Sequence, residues 1–142
     1  MAGTFKFELV TPERMVIPER SDDAKREPAP AEAREVVVPG SAGQFTVLAG
    51  HAPVLTTLRP GVLDIRLEGG NRRIFVRGGG FAEVEPERLT ILAQHYIDLD
   101  RASPDDLRAE VTVQEGYLSS ARDDEERAMA RQAIDLLKSL GA

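Results

Sequence analysis

The stretch VLDIRLEGGNRRIFVRGGGF, residues 62–81, decides the fold class. In VLDIRL the apolar and charged residues alternate, and a period of two places the apolar side chains on one face of a β-strand. The glycine-rich segment 69–71 then predicts a tight turn into a second strand, RIFVR, so the stretch forms a β-hairpin. The glycines at 78–80 lead into Phe81 and not into a helix. They therefore predict a bend in a sheet rather than a phosphate-binding loop.

Further strands are predicted on both sides of this hairpin. FKFEL, near the start of the chain, alternates in the same way, and other short apolar runs are punctuated by glycine and proline. These runs are residues 4–10, 14–17, 34–40, 44–50, 54–61 and 81–97, the last containing two strands around a turn at 85–88. Short strands at this spacing are typical of a β-sandwich or a flattened barrel.

After Ile97 the hydrophobic period changes to that of a helix. Ser103-Pro104-Asp105-Asp106 is typical of a helix N-terminus, with a serine cap, a proline where no N–H is needed, and acids at the positive end of the dipole. Two stripes follow, separated by the polar segment ARDDEE; they are Leu107, Val111, Gln114, Leu118 and Ala121, and then Met129, Ala133, Leu136 and Leu140. Two helices joined by a short turn predict an antiparallel hairpin.

The predicted fold class is therefore β + α, an N-terminal β-sandwich in residues 1–99 followed by an antiparallel two-helix hairpin in residues 100–142. Within the first domain, residues 18–33 read PERSDDAKREPAPAEA, with three prolines and no aromatic residue. Such a composition cannot build a packed core, so we expect an exposed, mobile loop. A charged surface tract used for docking is the alternative.

Composition excludes several classes of function. There are 24 acidic and 18 basic residues, and a net charge of −6 disfavours binding to nucleic acid or to anionic membranes. The chain has no cysteine, which removes disulfides and thiolate chemistry. It has no apolar run of membrane-spanning length and no signal-peptide pattern at its start, so we expect a soluble chain without direct insertion into lipid.

The chain's two histidines, His51 and His95, are far apart and stand outside any metalloprotease or hydrolase motif. Neither a metal site nor a catalytic residue is therefore predicted. His51 belongs to a Gly-His-Ala-Pro turn, residues 50–53, between two apolar runs. This turn is either a tight connection whose histidine is incidental or an exposed recognition loop stiffened by its proline, and spacing alone leaves both open.

Several motifs together resemble one family, the epsilon subunit of the F-type ATP synthase, whose mitochondrial counterpart is called delta. They are LVTPER (9–14), VVVPGSAGQFTVLAGHAPVLTTLRPGVL (36–63), GGFAEV (79–84), LTILAQ (89–94) and IDLDRA (97–102). The resemblance implies a ten-stranded sandwich and a helical hairpin. It also implies a non-catalytic rotor subunit of the central stalk that binds the gamma subunit and the c-ring, while ATP chemistry stays in the alpha and beta subunits.

The resemblance also assigns contact residues on the sandwich. Positions that meet gamma in relatives correspond to Thr11, His51, Pro53 and Thr56. The loop that approaches the c-ring corresponds to Gly43 and Gln44. An acidic residue of relatives is replaced here by Gln44, so a charge-based contact with the ring is not expected at this position.

For the hairpin, the resemblance implies a regulatory role. In bacterial relatives it folds against the sandwich or extends into the alpha/beta head and inhibits ATP hydrolysis, and in some the folded form binds ATP. Matching positions are Ile97, Asp98, Arg101, Ala102, Arg108, Ala109, Glu110, Arg127 and Arg131. Asp105 departs from the pattern by adding negative charge, and exposed ion pairs on a helix face are the alternative explanation of these arginines.

The leading interpretation is thus a peripheral subunit on the cytoplasmic face of a bacterial inner membrane, with no resident cofactor and ATP as a regulatory ligand at most. Two alternatives remain at this stage. One is a subunit whose main role is to sense ATP and inhibit hydrolysis, and the other is a free-standing β-sandwich that binds a ligand.

Overall fold

A computed structural model describes residues 3–18 and 31–142 and confirms the β + α fold class. Ten strands are followed by two helices. The strands are β1 (Phe5–Val10), β2 (Met15–Ile17), β3 (Ala31–Gly40), β4 (Gly43–Val47), β5 (Val54–Thr57), β6 (Gly61–Leu67), β7 (Gly70–Val76), β8 (Phe81–Glu85), β9 (Arg88–Leu92) and β10 (Tyr96–Asp98), and the helices are α1 (Pro104–Ser120) and α2 (Asp124–Ser139). Contacts divide the chain into a β-unit, Met1–Tyr96, and a helical unit, Ile97–Ala142.

The strands form one sheet in the order β10-β7-β6-β3-β1-β9-β8-β5, with β2 beside β1 and β4 beside β3. Strands β1 and β9 run parallel, from Lys6 opposite Arg88 to Val10 opposite Leu92. The other pairs of described register are antiparallel. Alternate residues of these strands build a common core; its fully buried members include Phe7, Leu9, Leu63, Ile65, Ile74, Leu89 and Ile91.

The predicted β6–β7 hairpin is present, with a turn that comes one residue earlier than expected. Leu67 pairs with Gly70, so Glu68 and Gly69 make a two-residue turn, and Gly70 already belongs to β7 with φ +138. The bend at the glycines 78–80 is confirmed as a site of close approach. A Cβ atom at Gly80 would stand 1.8 Å from the carbonyl oxygen of Leu92, so only glycine fits there.

The predicted loop 18–33 is only partly described. Residues 19–30 lie outside the described part of the chain. Residues 31–33 belong to β3, where Ala31 pairs with Phe7 and Ala33 pairs with Phe5, so the loop prediction is wrong for them. The physical reason is the apolar alternation of Ala31 and Ala33, which lets Ala33 become fully buried against the first strand.

The start of α1 is capped as the sequence predicts. The Ser103 hydroxyl accepts a hydrogen bond from the Asp106 amide at 3.2 Å, and the Asp106 carboxylate accepts one from the Ser103 amide at 2.9 Å. This reciprocal capping box satisfies donors that the first turn leaves open. The second helix begins earlier than expected, because Asp123 caps it by accepting from the Glu126 amide at 2.8 Å. Only residues 121–123 of ARDDEE therefore connect the helices.

The buried faces of the two helices agree with the sequence in part. The buried residues of α1 are Leu107, Glu110, Val111 and Gln114, and those of α2 are Ala130, Ala133, Ile134 and Leu137. The stripe predicted for α2 is wrong at Met129, Leu136 and Leu140, which are only half-buried. The apolar surface of α2 is broad enough to include both the predicted stripe and the buried one. The buried stripe contains two alanines, whose small side chains allow the helix backbone to pack more closely against its neighbour.

Candidate docking site

Strand registers define two opposite ends of the β-unit. Val10, Leu92, Phe81 and Thr57 lie at one level, because each pairs with the next across β1, β9, β8 and β5. The β3–β4 turn is joined to this level, since the Ser41 amide donates to the Thr57 carbonyl at 2.9 Å. We call this end the Gln44 end, after the first exposed residue of β4.

The opposite end carries the His51 turn. There the Gly50 amide donates to the carbonyl of Pro86 at 2.8 Å, and Pro86 lies in the turn that closes Glu85 against Arg88. Strand β4 runs from the Gln44 end to this one, so the two loops flanking β4 are separated by its length. We call this second end the His51 end.

The His51 turn is a hydrogen-bonded β-turn with a defined shape. The His51 amide donates to the Leu48 carbonyl at 3.1 Å, and Gly50, the third residue of the turn, has φ +80. A positive φ at this position is the signature of a type II turn and explains the glycine. With its second anchor on Pro86, the turn holds its conformation without a partner.

The imidazole of His51 is held by two contacts. Its Nδ1 atom lies 2.7 Å from the carbonyl oxygen of Ala52. Its ring centre lies 6.2 Å from that of Phe45 with the planes tilted by 44°, a geometry within the range of favourable aromatic pairs. The residue is half-buried.

Exposed apolar side chains flank the turn on both sides. Leu48 is 53% exposed, and Leu55 is 72% exposed on β5, which forms one edge of the sheet and pairs with β8. Pro53, which is exposed, lies between them in the sequence. Thr56 follows Leu55 and is half-buried, and its hydroxyl donates to the Thr57 carbonyl at 3.1 Å. We call residues 48–56 the docking segment, because several of its exposed residues are apolar and make it a candidate for an interaction surface.

Thr11 does not belong to the same surface. Its side chain is only 8% exposed, and its hydroxyl donates to the Arg14 carbonyl at 3.1 Å, which closes the turn after β1. It also lies at the Gln44 end, since the Ala93 amide donates to the Val10 carbonyl at 2.9 Å. About four to five residues of strand separate that level from the His51 end, a distance of about 15 Å. His51 and Pro53 therefore lie at the His51 end, apart from Thr11. Thr56 pairs with Ala82, one position from the Thr57–Phe81 pair, so it lies nearer the Gln44 end than the His51 end.

Gly43 and Gln44 lie on a separately anchored hairpin. Gly40 pairs with Gly43 across a two-residue turn, and Gly43 has φ +140. The hydroxyl of Thr57 donates to that of Ser41 at 2.8 Å, which ties the turn to β5. Gln44 is exposed at the start of β4 and offers a neutral amide, with both hydrogen-bond donors and an acceptor, to any partner at this end.

Three of the four arginines matched to a nucleotide site are close to an acid three residues before them. Arg127 donates to Asp124 at 2.8 Å, and Arg108 donates to Asp105. Arg101 lies 4.0 Å from the carboxylate of Asp98. Ion pairing within one helix face, the alternative explanation of these arginines, is what this arrangement favours for Arg108 and Arg127.

The helical hairpin also holds Arg108 and Arg127 at different heights. A Cβ atom at Gly141 would stand 3.9 Å from the Leu107 side chain, so the end of α2 meets the start of α1. Arg127 therefore lies level with the C-terminal end of α1, about 13 residues or about 20 Å along the axis from Arg108. Arg131 lies on α2 one turn closer to the level of Arg108 than Arg127 does, and it is exposed. Ile97 is half-buried where β10 continues past Tyr96.

The sequence pattern placed Gln114 on the buried face of α1 but not its partner Glu110. Glu110 and Gln114 are 3% and 1% exposed, and the Gln114 amide donates to the Glu110 carboxylate at 3.0 Å. Glu110 stands three residues after Leu107 and four before Gln114, and this spacing was the signal that could have placed it on the buried face. Among residues 3–18 and 31–142, no group of three potential metal ligands comes together. Neither α1 nor α2 has the length and apolar character required to cross a membrane.

Comparisons with known proteins agree on one family. Residues 22–98 match the family described as ATP synthase, Delta/Epsilon chain, beta-sandwich domain. The ATP synthase epsilon chain of Parvibaculum lavamentivorans is 40% identical over 99% of this chain and 97% of its own length. That of Mesorhizobium japonicum is 37% identical over 99% of this chain and 95% of its own length.

Solved structures share the fold at much lower sequence identity. A chain in the Euglena gracilis mitochondrial ATP synthase structure of OSCP, F1 and c-ring has a TM-score of 0.64 and 20% identity, covering 99% of this chain and 81% of its own. A chain in the central stalk and c-ring structure of the Tetrahymena thermophila mitochondrial ATP synthase has a TM-score of 0.60 and 14% identity, covering 97% of this chain and 96% of its own. At such identities the likeness concerns the fold.

Proposed function

We propose that this chain, which belongs to the delta/epsilon chain family of ATP synthase, is a non-catalytic central-stalk subunit that joins the gamma subunit to the c-ring. One observation carries the proposal: the β-unit has two separately anchored, exposed loops at opposite ends, the His51 turn and the Gly43–Gln44 hairpin. A subunit that links two partners requires two such surfaces on one rigid body. One of the two solved structures that share the fold is described as a central stalk and c-ring and the other as OSCP, F1 and c-ring, which supports the same role.

The docking segment is the surface proposed for gamma. Its turn is held by backbone hydrogen bonds in the free chain, so little conformational entropy is lost on binding. Leu48 and Leu55 provide apolar area for the centre of an interface, and His51 provides a polar group between them in sequence. Pro53 and Thr56 lie on the same segment, whereas the buried Thr11 side chain supports the fold of its own turn.

The Gly43–Gln44 hairpin is the surface proposed for the c-ring. Because Gln44 is neutral, we expect hydrogen bonding and shape, rather than ionic attraction, to dominate the contact at this residue. The subunit would then sit at the membrane surface through its partners, on the cytoplasmic side of a bacterial inner membrane, without inserting into lipid.

Binding of the full chain to purified gamma subunit tests the proposal. Leu55→Ser should weaken binding about 10-fold, since a leucine side chain contributes roughly 1.5 kcal/mol when it becomes buried. Tyr117→Ser is the matched control, because Tyr117 is an exposed apolar residue, 48% exposed, on α1. If the unaltered chain does not bind gamma, the proposal is wrong.

We propose regulation of ATP hydrolysis as a second role, carried by the helical unit. The Glu110–Gln114 pair supports this role. Both polar side chains are buried on one face of α1, and they would become hydrated if that face separated from the residues that cover it. Removing residues 103–142 in the reconstituted complex should raise ATP hydrolysis while leaving assembly intact. Unchanged hydrolysis in the truncated complex would count against this role.

ATP binding to the helical unit is the least supported part of the proposal. The ion pairs of Arg108 and Arg127 would have to exchange for contacts with phosphate, and the two guanidinium groups would have to come together from different heights. Calorimetry of the full chain with millimolar ATP, compared with an Arg101→Ala, Arg127→Ala double variant, tests it. Absence of binding heat would remove ATP sensing.

A further inference from the structure

We propose that His51 presents its Nε2 atom as an unprotonated hydrogen-bond acceptor, and that the protein docking on this turn provides a hydrogen-bond donor at the centre of an otherwise apolar patch. The identity of that protein as gamma rests on the proposed function. The tautomer assigned to the neutral ring rests on the geometry of this chain alone.

The contact between His51 and Ala52 determines which ring nitrogen carries the proton. The partner of Nδ1 is a backbone carbonyl oxygen at 2.7 Å, and a carbonyl oxygen can only accept a hydrogen bond. Nδ1 must therefore carry the hydrogen. In a neutral imidazole only one nitrogen is protonated, so Nε2 keeps its lone pair and is an acceptor.

The ring is also held in orientation. Ala52 precedes Pro53, which restricts the Ala52 backbone to extended conformations and so limits the directions its carbonyl can take. The Phe45 ring packs beside the imidazole at 6.2 Å between centres. With the backbone of the turn anchored on Leu48 and Pro86, the position of Nε2 is set before any partner arrives.

This arrangement specifies the chemistry of the partner. A hydroxyl group, a backbone amide or a side-chain N–H can donate a hydrogen bond to Nε2. A carboxylate or carbonyl oxygen at the same place is itself an acceptor, so its lone pair would repel that of Nε2. The leucines on either side of the turn, Leu48 and Leu55, favour apolar groups around that donor. The partner surface is thus apolar with a single donor, and not an acidic patch.

Nitrogen NMR of the full chain with labelled histidine tests the ring directly. Protonated and unprotonated ring nitrogens resonate in well-separated regions of the nitrogen spectrum, so the spectrum shows which nitrogen carries a hydrogen. The signals of His51 are assigned by their loss in His51→Gln, with the exposed His95 as an internal reference. We expect a proton on Nδ1 of His51; a spectrum with the proton on Nε2 would overturn the proposal.

Binding measurements with gamma test the role of the acceptor. His51→Phe keeps a ring beside Phe45 but removes both nitrogens, and we expect binding to weaken about 5- to 10-fold. In His51→Gln the side-chain oxygen can replace Nε2, so affinity should stay within about 3-fold of the original. His95→Gln, at the Gln44 end, is the control and should bind unchanged.

The outcomes separate the two proposals. If His51→Phe binds as tightly as the original chain, or if His51→Gln is weakened as much as His51→Phe, the acceptor role is wrong while the stalk function stands. If the original chain does not bind gamma, the stalk function is wrong, and the nitrogen spectrum still decides the state of the ring.

Discussion

Replacing Gly80 with alanine is the sharpest test of the fold. The added Cβ atom would stand 1.8 Å from the carbonyl oxygen of Leu92 and 3.1 Å from the Ala93 Cα atom. These are backbone atoms, so no side-chain rotation relieves the clash. The Leu92 carbonyl would have to move by about 1.2 Å to restore even a 3.0 Å separation. This movement separates β8 from β9 where Phe81 pairs with Leu92.

The expected loss of stability follows from these contacts. Overpacking a core costs about 1–3 kcal/mol. The Leu58 amide donates to the Gly80 carbonyl at 2.9 Å, and the loss of this bond and of a neighbouring sheet bond adds about 1 kcal/mol each. A total of about 4 kcal/mol is a large part of the 5–15 kcal/mol that stabilises a typical domain, so the β-unit should be severely destabilised.

Urea unfolding of the purified chain, followed by circular dichroism, measures this loss. The midpoint for Gly80→Ala should fall by about 2–4 M. Gly69→Ala is the matched control, because a Cβ atom at this exposed turn residue meets no heavy atom within 4 Å, and we expect a change within about 0.5 kcal/mol. A midpoint for Gly80→Ala equal to that of Gly69→Ala would refute the reasoning.

Three further predictions concern the helical unit. Leu137→Ala empties a fully buried position of α2 and should cost about 3 kcal/mol in urea unfolding followed by the helical signal; a loss below 1 kcal/mol would contradict the packing. Ser103→Ala removes the capping box and should cost about 1 kcal/mol, seen as faster hydrogen exchange in the first turn of α1, and unchanged exchange would count against the cap. Gly116→Ala adds a methyl group in open space and should stabilise α1 by about 1 kcal/mol in thermal unfolding, while a loss would show a hidden contact.

The sequence predicts the elements of this fold well where the local pattern is strong. The alternation of VLDIRL and the serine-proline start of α1 specify a strand and a helix on their own, and both are present. Pairing between distant strands is a different matter. Nothing in FKFEL indicates that β1 lies parallel to β9 in the middle of the sheet, because register depends on burial contributed by the whole β-unit.

The candidate site could be predicted only as a set of residues on loops. The sequence predicts that His51 lies in a turn. It does not predict which ring nitrogen carries the hydrogen, because this depends on the position of the Ala52 carbonyl. It gives no sign that Thr11 is buried and lies about 15 Å from the level of the His51 turn, because that distance follows from strand registers. The burial of Glu110 was not predicted either, because a carboxylate on a helix is expected to face water unless tertiary contacts cover it.

The parallel pairing of β1 with β9 has a consequence for biosynthesis. One edge of the first strand, Phe5–Val10, pairs with Arg88–Leu92, more than eighty positions later in the chain, whereas its other edge pairs with β2 and β3. Non-local pairing of this kind slows folding, because a long loop must close before any contact compensates its entropy. During translation this edge of the first strand stays unpaired until β9 has left the ribosome, whereas the helical hairpin forms from segments that are close in sequence. Assembly into a larger complex is therefore expected to begin only after most of the chain has been synthesised.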